Sequence, residues 1–175
     1  MATGKRQLAP LAPRAGAALI DALAIGAIGT VVSALAVVGL RAAHAMPGGG
    51  AQFVVGLGGI VAACLYGPIL MARAGEHNGQ TWGKQMLGLR VVRELRGEMN
   101  LGTGLAREAV GKQLLAALTA GLYIPLDYAW ALWDPERQTL HDKVADTLVV
   151  VAEAPRTVVD GLPAPEGWLP PGPDR

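Results

Sequence analysis

Residues 14–40, RAGAALIDALAIGAIGTVVSALAVVGL, decide the fold of this chain. The 26 residues from Ala15 to Leu40 contain a single ionisable side chain, Asp21. A helix of that length, at about 1.5 Å per residue, measures roughly 39 Å, whereas the hydrocarbon core of a bilayer is about 30 Å thick. The stretch therefore predicts a transmembrane helix that crosses the membrane with some tilt.

Asp21 is the unusual residue of this span, because a carboxylate at mid-membrane costs about 2.5–3.5 kcal/mol. It lies seven residues after Arg14, on nearly the same face but about 10 Å along the helix, too far for a direct contact. We expect Arg14 to extend to the lipid headgroups and Asp21 to find another cation. Lys84, Arg107 and Lys112 are the candidates.

A secretory signal peptide is the alternative interpretation of the N-terminus. Lys5, Arg6 and Arg14 would form its basic region, and residues 43–45 resemble a small-x-small cleavage site. Signal peptides have apolar regions of about 7–15 residues, much shorter than this span. We therefore expect the helix to be retained.

A second span, Ala51 to Ala72, follows a Pro- and Gly-rich turn at residues 46–50 and carries no charge. Both spans have small residues four apart, a pattern that lets helices approach closely in lipid. We expect an antiparallel pair that uses these stripes. They consist of Ala18, Ala22, Gly26, Thr30 and Ala34 in the first span, and Gly59, Ala63 and Gly67 in the second.

The segment Ala109 to Trp133 is a weaker apolar stretch, interrupted by Lys112, Pro125 and Asp127. Aromatic residues gather toward its end, as they do at a membrane interface. Two interpretations stay open: one kinked span, or a re-entrant or interfacial helix.

Basic residues indicate the orientation. They are concentrated in the N-terminal lead and between Arg73 and Lys112, whereas the loop between the two spans offers only Arg41. By the positive-inside rule, the N-terminus and the 73–112 loop are expected in the cytoplasm.

An internal similarity links residues 80–92 to residues 138–150. A Gln-Thr pair precedes a Val-Val pair by the same interval in both, and a lysine, Lys84 or Lys143, falls between. Each copy reads as a polar turn feeding a short strand. If the two strands pair, they lie on one membrane face, and 25 residues at 109–133 can hardly cross the bilayer twice.

Composition and residue types argue against enzymatic chemistry. A net charge of +1 excludes nucleic acid as a bulk partner. The single cysteine, Cys64, and the single serine, Ser33, lie inside apolar spans, away from any histidine in sequence. The histidines show no metal-ligand spacing and the glycines no phosphate-loop spacing. We expect no enzyme activity, cofactor or metal.

Three motifs, in order, resemble the RDD family of small bacterial membrane proteins. They are PRAGAALID at 13–21, GQTWGKQMLGLRVV at 79–92 and RQTLHDKVADTLVVV at 137–151. The resemblance implies that Arg14, Asp21 and Asp142 are the arginine and the two aspartates for which the family is named. The molecular function of this family is mostly unassigned, and some members are linked to ion or proton antiport.

The carboxylates allow a functional and a structural interpretation. Asp21 in a low dielectric could load and release a proton, or it could lock helices together through a buried pair. Asp127, beside a proline, fits either a cation site at a helix break or an interfacial position. For Asp142, next to His141, we expect a turn or capping role, or an ion pair with Arg14 or Lys84.

Together these observations predict an all-α integral membrane protein with two transmembrane helices, a third broken or kinked apolar segment, and a small cytoplasmic β element. The predicted organisation is a cytoplasmic lead (1–13), a membrane domain (14–151) and a disordered Pro-rich tail (152–175). The expected location is the cytoplasmic membrane, multi-pass. The supporting charges are Lys84, Arg107, Asp127, His141 and Lys143.

Two functions are compatible with this reading. The first is a small oligomeric transporter coupled to a cation or proton through Asp21, with Arg14, Lys84 and Asp142 closing its cytoplasmic side. The second is a non-catalytic module for assembly or partner binding, in which these charges are structural. The expected partners are lipid, further copies of the chain or other membrane proteins.

Overall fold

The computed structural model describes residues 7–44, 50–94 and 97–152. The predicted disordered tail, apart from Ala152, and most of the predicted 46–50 turn lie outside these residues. In chain order the elements are α1 (Leu11–Ala42), α2 (Gly50–Met71), α3 (Trp82–Met86), β1 (Leu89–Arg93), α4 (Leu101–Leu105), a π-helical stretch (Ala106–Leu114), α5 (Leu115–Leu118), α6 (Tyr123–Trp130), α7 (Leu140–Val144) and β2 (Thr147–Val151).

Helices α1 and α2 are long and apolar enough to cross a membrane, with mean hydropathies of 2.3 and 2.1 over their most apolar windows. Only 11% and 17% of these windows is buried inside the protein. Core helices of soluble proteins bury their apolar residues, whereas these two present theirs outward, as helices do in lipid. The predicted spans at 15–40 and 51–72 coincide with the two helices to within a few residues.

The two long helices pack antiparallel at three levels. Asp21 meets Tyr66, Gly29 approaches Gly59, and the Ser33 hydroxyl donates to the backbone at Val55, 3.4 Å away. The first-span stripe was assigned to the wrong face, because Ala22, Gly26, Thr30 and Ala34 are exposed. The i+4 spacing of small residues recurs on neighbouring faces of α1, and the polar anchors Asp21 and Ser33 determine which face is used.

The sequence left open whether the two short strands pair, and in the structure they do. Strands β1 and β2 pair antiparallel, with Val91 opposite Val149. Residues 7–9 run along the other edge of β2, where the Ala9 amide donates to the Val149 carbonyl at 2.9 Å. The lead therefore contributes to the sheet before α1 begins.

The internal similarity, between positions 58 residues apart (138 − 80), is also a structural repeat of residues 79–94 (the first unit) and 137–152 (the second unit). The Gln80 side chain donates to the Leu89 carbonyl at 2.7 Å, and Gln138 donates to the Thr147 carbonyl at 3.1 Å. Equivalent backbone positions have positive φ: Gly79 and Arg137 in one pair, and Gly88 and Asp146 in the other. Because Val91 and Val149 are themselves equivalent, the two units are related by an approximate two-fold axis. We call the two units together the cap.

The apolar segment after the first unit is a helical hairpin and not a kinked span. Residues 101–118 are continuously helical, roughly 27 Å long. The chain then reverses at Ala120 and Gly121, both with positive φ, and α6 returns to the cap. Leu118 and Leu122, at the turn, are 73% and 81% exposed. This geometry matches the re-entrant or interfacial alternative.

Candidate functional site

Asp21 connects α1 to α2 and to the first unit of the cap. It is 7% exposed, and its carboxylate accepts hydrogen bonds from Tyr66 Oη (2.8 Å), Thr81 Oγ1 (2.6 Å) and the Gly83 amide (2.8 Å). Lys84 Nζ lies 3.5 Å from Oδ2. The carboxylate thus sits at the first turn of α3, where amide groups are unpaired within a helix.

Gly83 is what allows this close approach. A Cβ at that position would lie 2.2 Å from the Ala17 carbonyl oxygen and 2.9 Å from Asp21 Oδ1. Lys84 is among the cations that the sequence offers as partners of Asp21, but the other three donors are not predicted. Thr81, a residue type typical of a helix N-cap, was the available signal.

Asp142 connects the second unit to two other elements. It is fully buried, with Arg14 Nη2 at 2.5 Å and Arg107 Nη2 and Nε at 2.6 and 3.0 Å. It also closes a capping box with Thr139 at the start of α7. Arg14 donates further to the Arg137 carbonyl. The expectation that Arg14 extends to the headgroups is therefore wrong, since the cap covers this end of α1 and supplies Asp142.

Of the three candidate cations for Asp21, Lys84 is the one found there, whereas Arg107 and Lys112 pair with Glu108. Arg107 Nη1 pairs with Glu108 Oε1, and Lys112 Nζ lies 3.7 Å from Oε2. Lys112 also lies over the ring of Tyr128, 5.6 Å from its centre. Glu108 is not among the predicted site residues, although its i, i+4 spacing to Lys112 indicates an ion pair on one helix face.

Asp127 lies inside the protein and not at an interface. It is fully buried and accepts from the His141 amide (2.8 Å), from His141 Nδ1 (2.5 Å) and from Tyr123 Oη (3.4 Å). His141 and Gly83 are equivalent positions of the two units. Asp127 on α6 therefore binds the second unit as Asp21 on α1 binds the first.

Lys143, the remaining predicted charge, lies apart from these groups. It pairs with Asp134 at 2.6 Å and donates to the Gln138 side chain at 3.0 Å. No group of three or more His, Cys, Asp or Glu side chains that could hold a metal occurs within 7–44, 50–94 and 97–152.

The surrounding charges shift the pKa values of the cap residues. Burial alone would raise the pKa of Asp142, but the positive charge of Arg107 outweighs it and holds this pKa below its ordinary value. Burial, assisted by Arg107, lowers the pKa of His141 and of Lys84. Asp142 therefore stays ionised and His141 neutral at neutral pH.

These groups surround a cavity of about 340 Å³ between α1, α2, the hairpin and the cap. Six charged residues line its wall, and Asp142 is buried behind two of them. The six are Arg14, Asp21, Lys84, Arg107, Glu108 and Lys112.

Two apolar helices of membrane-spanning length, joined to a polar cap by buried charges, fit a membrane protein. The RDD family profile matches residues 8–146, most of the chain. The chain belongs to the RDD family, which confirms the resemblance stated above. Neither the curated proteins nor the solved structures include a match.

Proposed function

We propose that the chain is a non-catalytic, multi-pass module of the cytoplasmic membrane, in which the signature charges are structural and hold the cap on the two spans. Its role is to bind other membrane components. The observation that carries this proposal is the saturation of Asp21.

A carboxylate offers about four lone-pair sites. Three hydrogen bonds and one ammonium contact already occupy those of Asp21, all from residues that form the α2 and α3 contacts. A carboxylate that carries an ion in each cycle must exchange its partners. Exchange here would release the first unit from α1, so a fixed role is the simpler one.

The orientation follows from the distribution of basic residues. Of the ten arginines and lysines among the described residues, seven lie in the cap and the adjoining hairpin, whereas the opposite ends of α1 and α2 hold Arg41. Short basic loops stay in the cytoplasm. In this proposal the N-terminus and the cap are therefore cytoplasmic.

The test compares wild type with Asp21→Asn in proteoliposomes and in detergent. We expect the wild type to dissipate neither a proton nor a sodium gradient. Asp21→Asn should lower the unfolding free energy by about 2–3 kcal/mol, because hydrogen bonds to a charged acceptor become bonds to a neutral one. Glu76→Gln, at a carboxylate that is 67% exposed, is the matched control and should change little.

Ion- or proton-coupled transport is the second candidate, favoured by the position of Asp21 and Glu108 on the cavity wall. Two spans and a hairpin enclose little volume, so this candidate requires an oligomer. Gradient dissipation by the wild type that Asp21→Asn abolishes, without loss of folded protein, would support transport and overturn the structural proposal.

A further inference from the structure

We propose that the cavity binds the phosphate headgroup of an anionic membrane lipid, with an acyl chain lying along the exposed small-residue face of α1. This assignment goes beyond the structural role of the charges. It rests on the charge of the cavity wall, on the geometry of two lysines and on the shape of the opening.

The wall of the cavity carries more positive than negative charge. Its four cations face two carboxylates, Asp21 and Glu108. Asp142 lies behind the wall and is shared by both arginines, while Asp127 is bound to His141. An anion in the cavity would therefore meet more cations than carboxylates on the wall itself, in a partly water-excluded space.

Lys84 and Lys112 are the residues best placed to hold that anion. Their ion pairs are long, 3.5 Å to Asp21 and 3.7 Å to Glu108, whereas Asp142 holds both arginines at 2.5–2.6 Å. An ammonium carries three donors, so each lysine can bind a phosphate oxygen without losing its carboxylate.

The size and lining of the cavity suit an amphiphile better than a free ion. About 340 Å³ falls in the usual range of ligand pockets, about 300–1,000 Å³. Besides the charged groups, apolar residues line the cavity, including Ala18, Ala22 and Gly26 of α1 and Ala63 of α2.

The cavity opens along α1. Ala22 and Gly26 are exposed although they line it, and the same face continues through exposed Thr30 and Ala34. This exposed face follows a helix of membrane-spanning length. An acyl chain along this face would lie in lipid while the headgroup contacts the cap, as in basic pockets that bind anionic headgroups between membrane helices.

Native mass spectrometry of the full chain in detergent tests the proposal by titration with dioleoyl phosphatidic acid, dioleoyl phosphatidylcholine or inorganic phosphate. We expect phosphatidic acid to bind at least tenfold more tightly than phosphatidylcholine. Lys112→Gln and Lys84→Gln should each weaken binding at least tenfold, whereas Arg41→Gln, at the far end of α1, should not. Lys112 is 23% exposed, so its variant is expected to fold even if the Lys84 variant does not.

A second variant pair separates a lipid from free phosphate. A Cβ at Gly26 or at Gly39 meets nothing within 4 Å, so both positions accept a larger side chain. Gly26→Leu places a larger side chain on the exposed small-residue face of α1, beside the cavity, and should weaken phosphatidic acid binding tenfold. Gly39→Leu should leave the binding unchanged. Equal binding of both lipids, or no loss in Lys112→Gln, would overturn the proposal. Phosphate binding as tight as that of the lipid and insensitive to Gly26→Leu would also overturn it, in favour of a soluble phosphate ligand.

Discussion

The bond between Arg14 and Asp142 is the most informative single contact to perturb, because it ties α1 directly to the second unit of the cap. Asp142→Asn keeps the shape of the side chain but removes the charge of one of the two carboxylates, Asp142 and Glu108, that pair with the Arg107 guanidinium, which is 3% exposed. Neutralising one partner of a buried ion pair costs about 3–5 kcal/mol. Arg14→Gln removes one charge-assisted bond, worth about 1.5–3 kcal/mol.

A double-mutant cycle separates this bond from the other contacts of Asp142. The losses of unfolding free energy in the two single variants should add up to more than the loss in the double variant, by about 1.5–3 kcal/mol. This difference is the coupling energy of the 2.5 Å Arg14–Asp142 contact. Denaturant titration in mixed micelles, followed by tryptophan fluorescence, measures each unfolding free energy. The exposed pair Glu76–His77, at 3.3 Å, is the control, and its coupling should stay below about 1 kcal/mol. A coupling below about 0.5 kcal/mol for Arg14 and Asp142 would refute the structural reasoning.

Three further predictions use the same titration. Gly83→Ala should lower the unfolding free energy by about 1–3 kcal/mol, since a methyl group would overlap the Ala17 carbonyl, whereas Gly39→Ala should not lower it. Thr81→Val should cost about 1.5–3 kcal/mol by removing the 2.6 Å bond to Asp21, and an unchanged stability would contradict that bond. Because the pKa of His141 is lowered in the folded protein, this histidine takes up a proton at a higher pH in the unfolded state than in the folded state. The unfolding free energy should therefore fall as the pH drops below about 6.5. In His141→Asn its dependence on pH should be shallower.

The sequence predicts the spans because hydropathy and length determine them. It also indicates the two short strands, through the repeated Gln-Thr turn and β-branched run, but it left their pairing conditional. The full extent of this repeat is not visible in the sequence, because the residues with positive φ are glycines in the first unit but Arg137 and Asp146 in the second. Side-chain type therefore does not reveal the equivalence of these turns.

The hydrogen-bond partners of the buried carboxylates were harder to predict than the helices and strands. Asp21 binds donors 45 to 62 residues away, among them a backbone amide that has no sequence signature. The hairpin turn at Ala120 and Gly121 separates two apolar helices that hydropathy alone reads as one segment. The face on which α1 meets α2 depends on Ser33 and Asp21, which a pattern of small residues does not include.

The most direct test of the whole account is whether both units of the cap lie on the same side of the membrane. In a Cys64→Ala background, Glu76→Cys precedes the first unit and Glu136→Cys precedes the second, and both positions are exposed. An impermeant maleimide is applied to intact cells and then to opened cells. The account predicts that neither site is labelled until the cells are opened, and that both are labelled afterwards. Labelling of one site from outside but not the other would mean that the 101–130 segment crosses the membrane, and would contradict the paired cap.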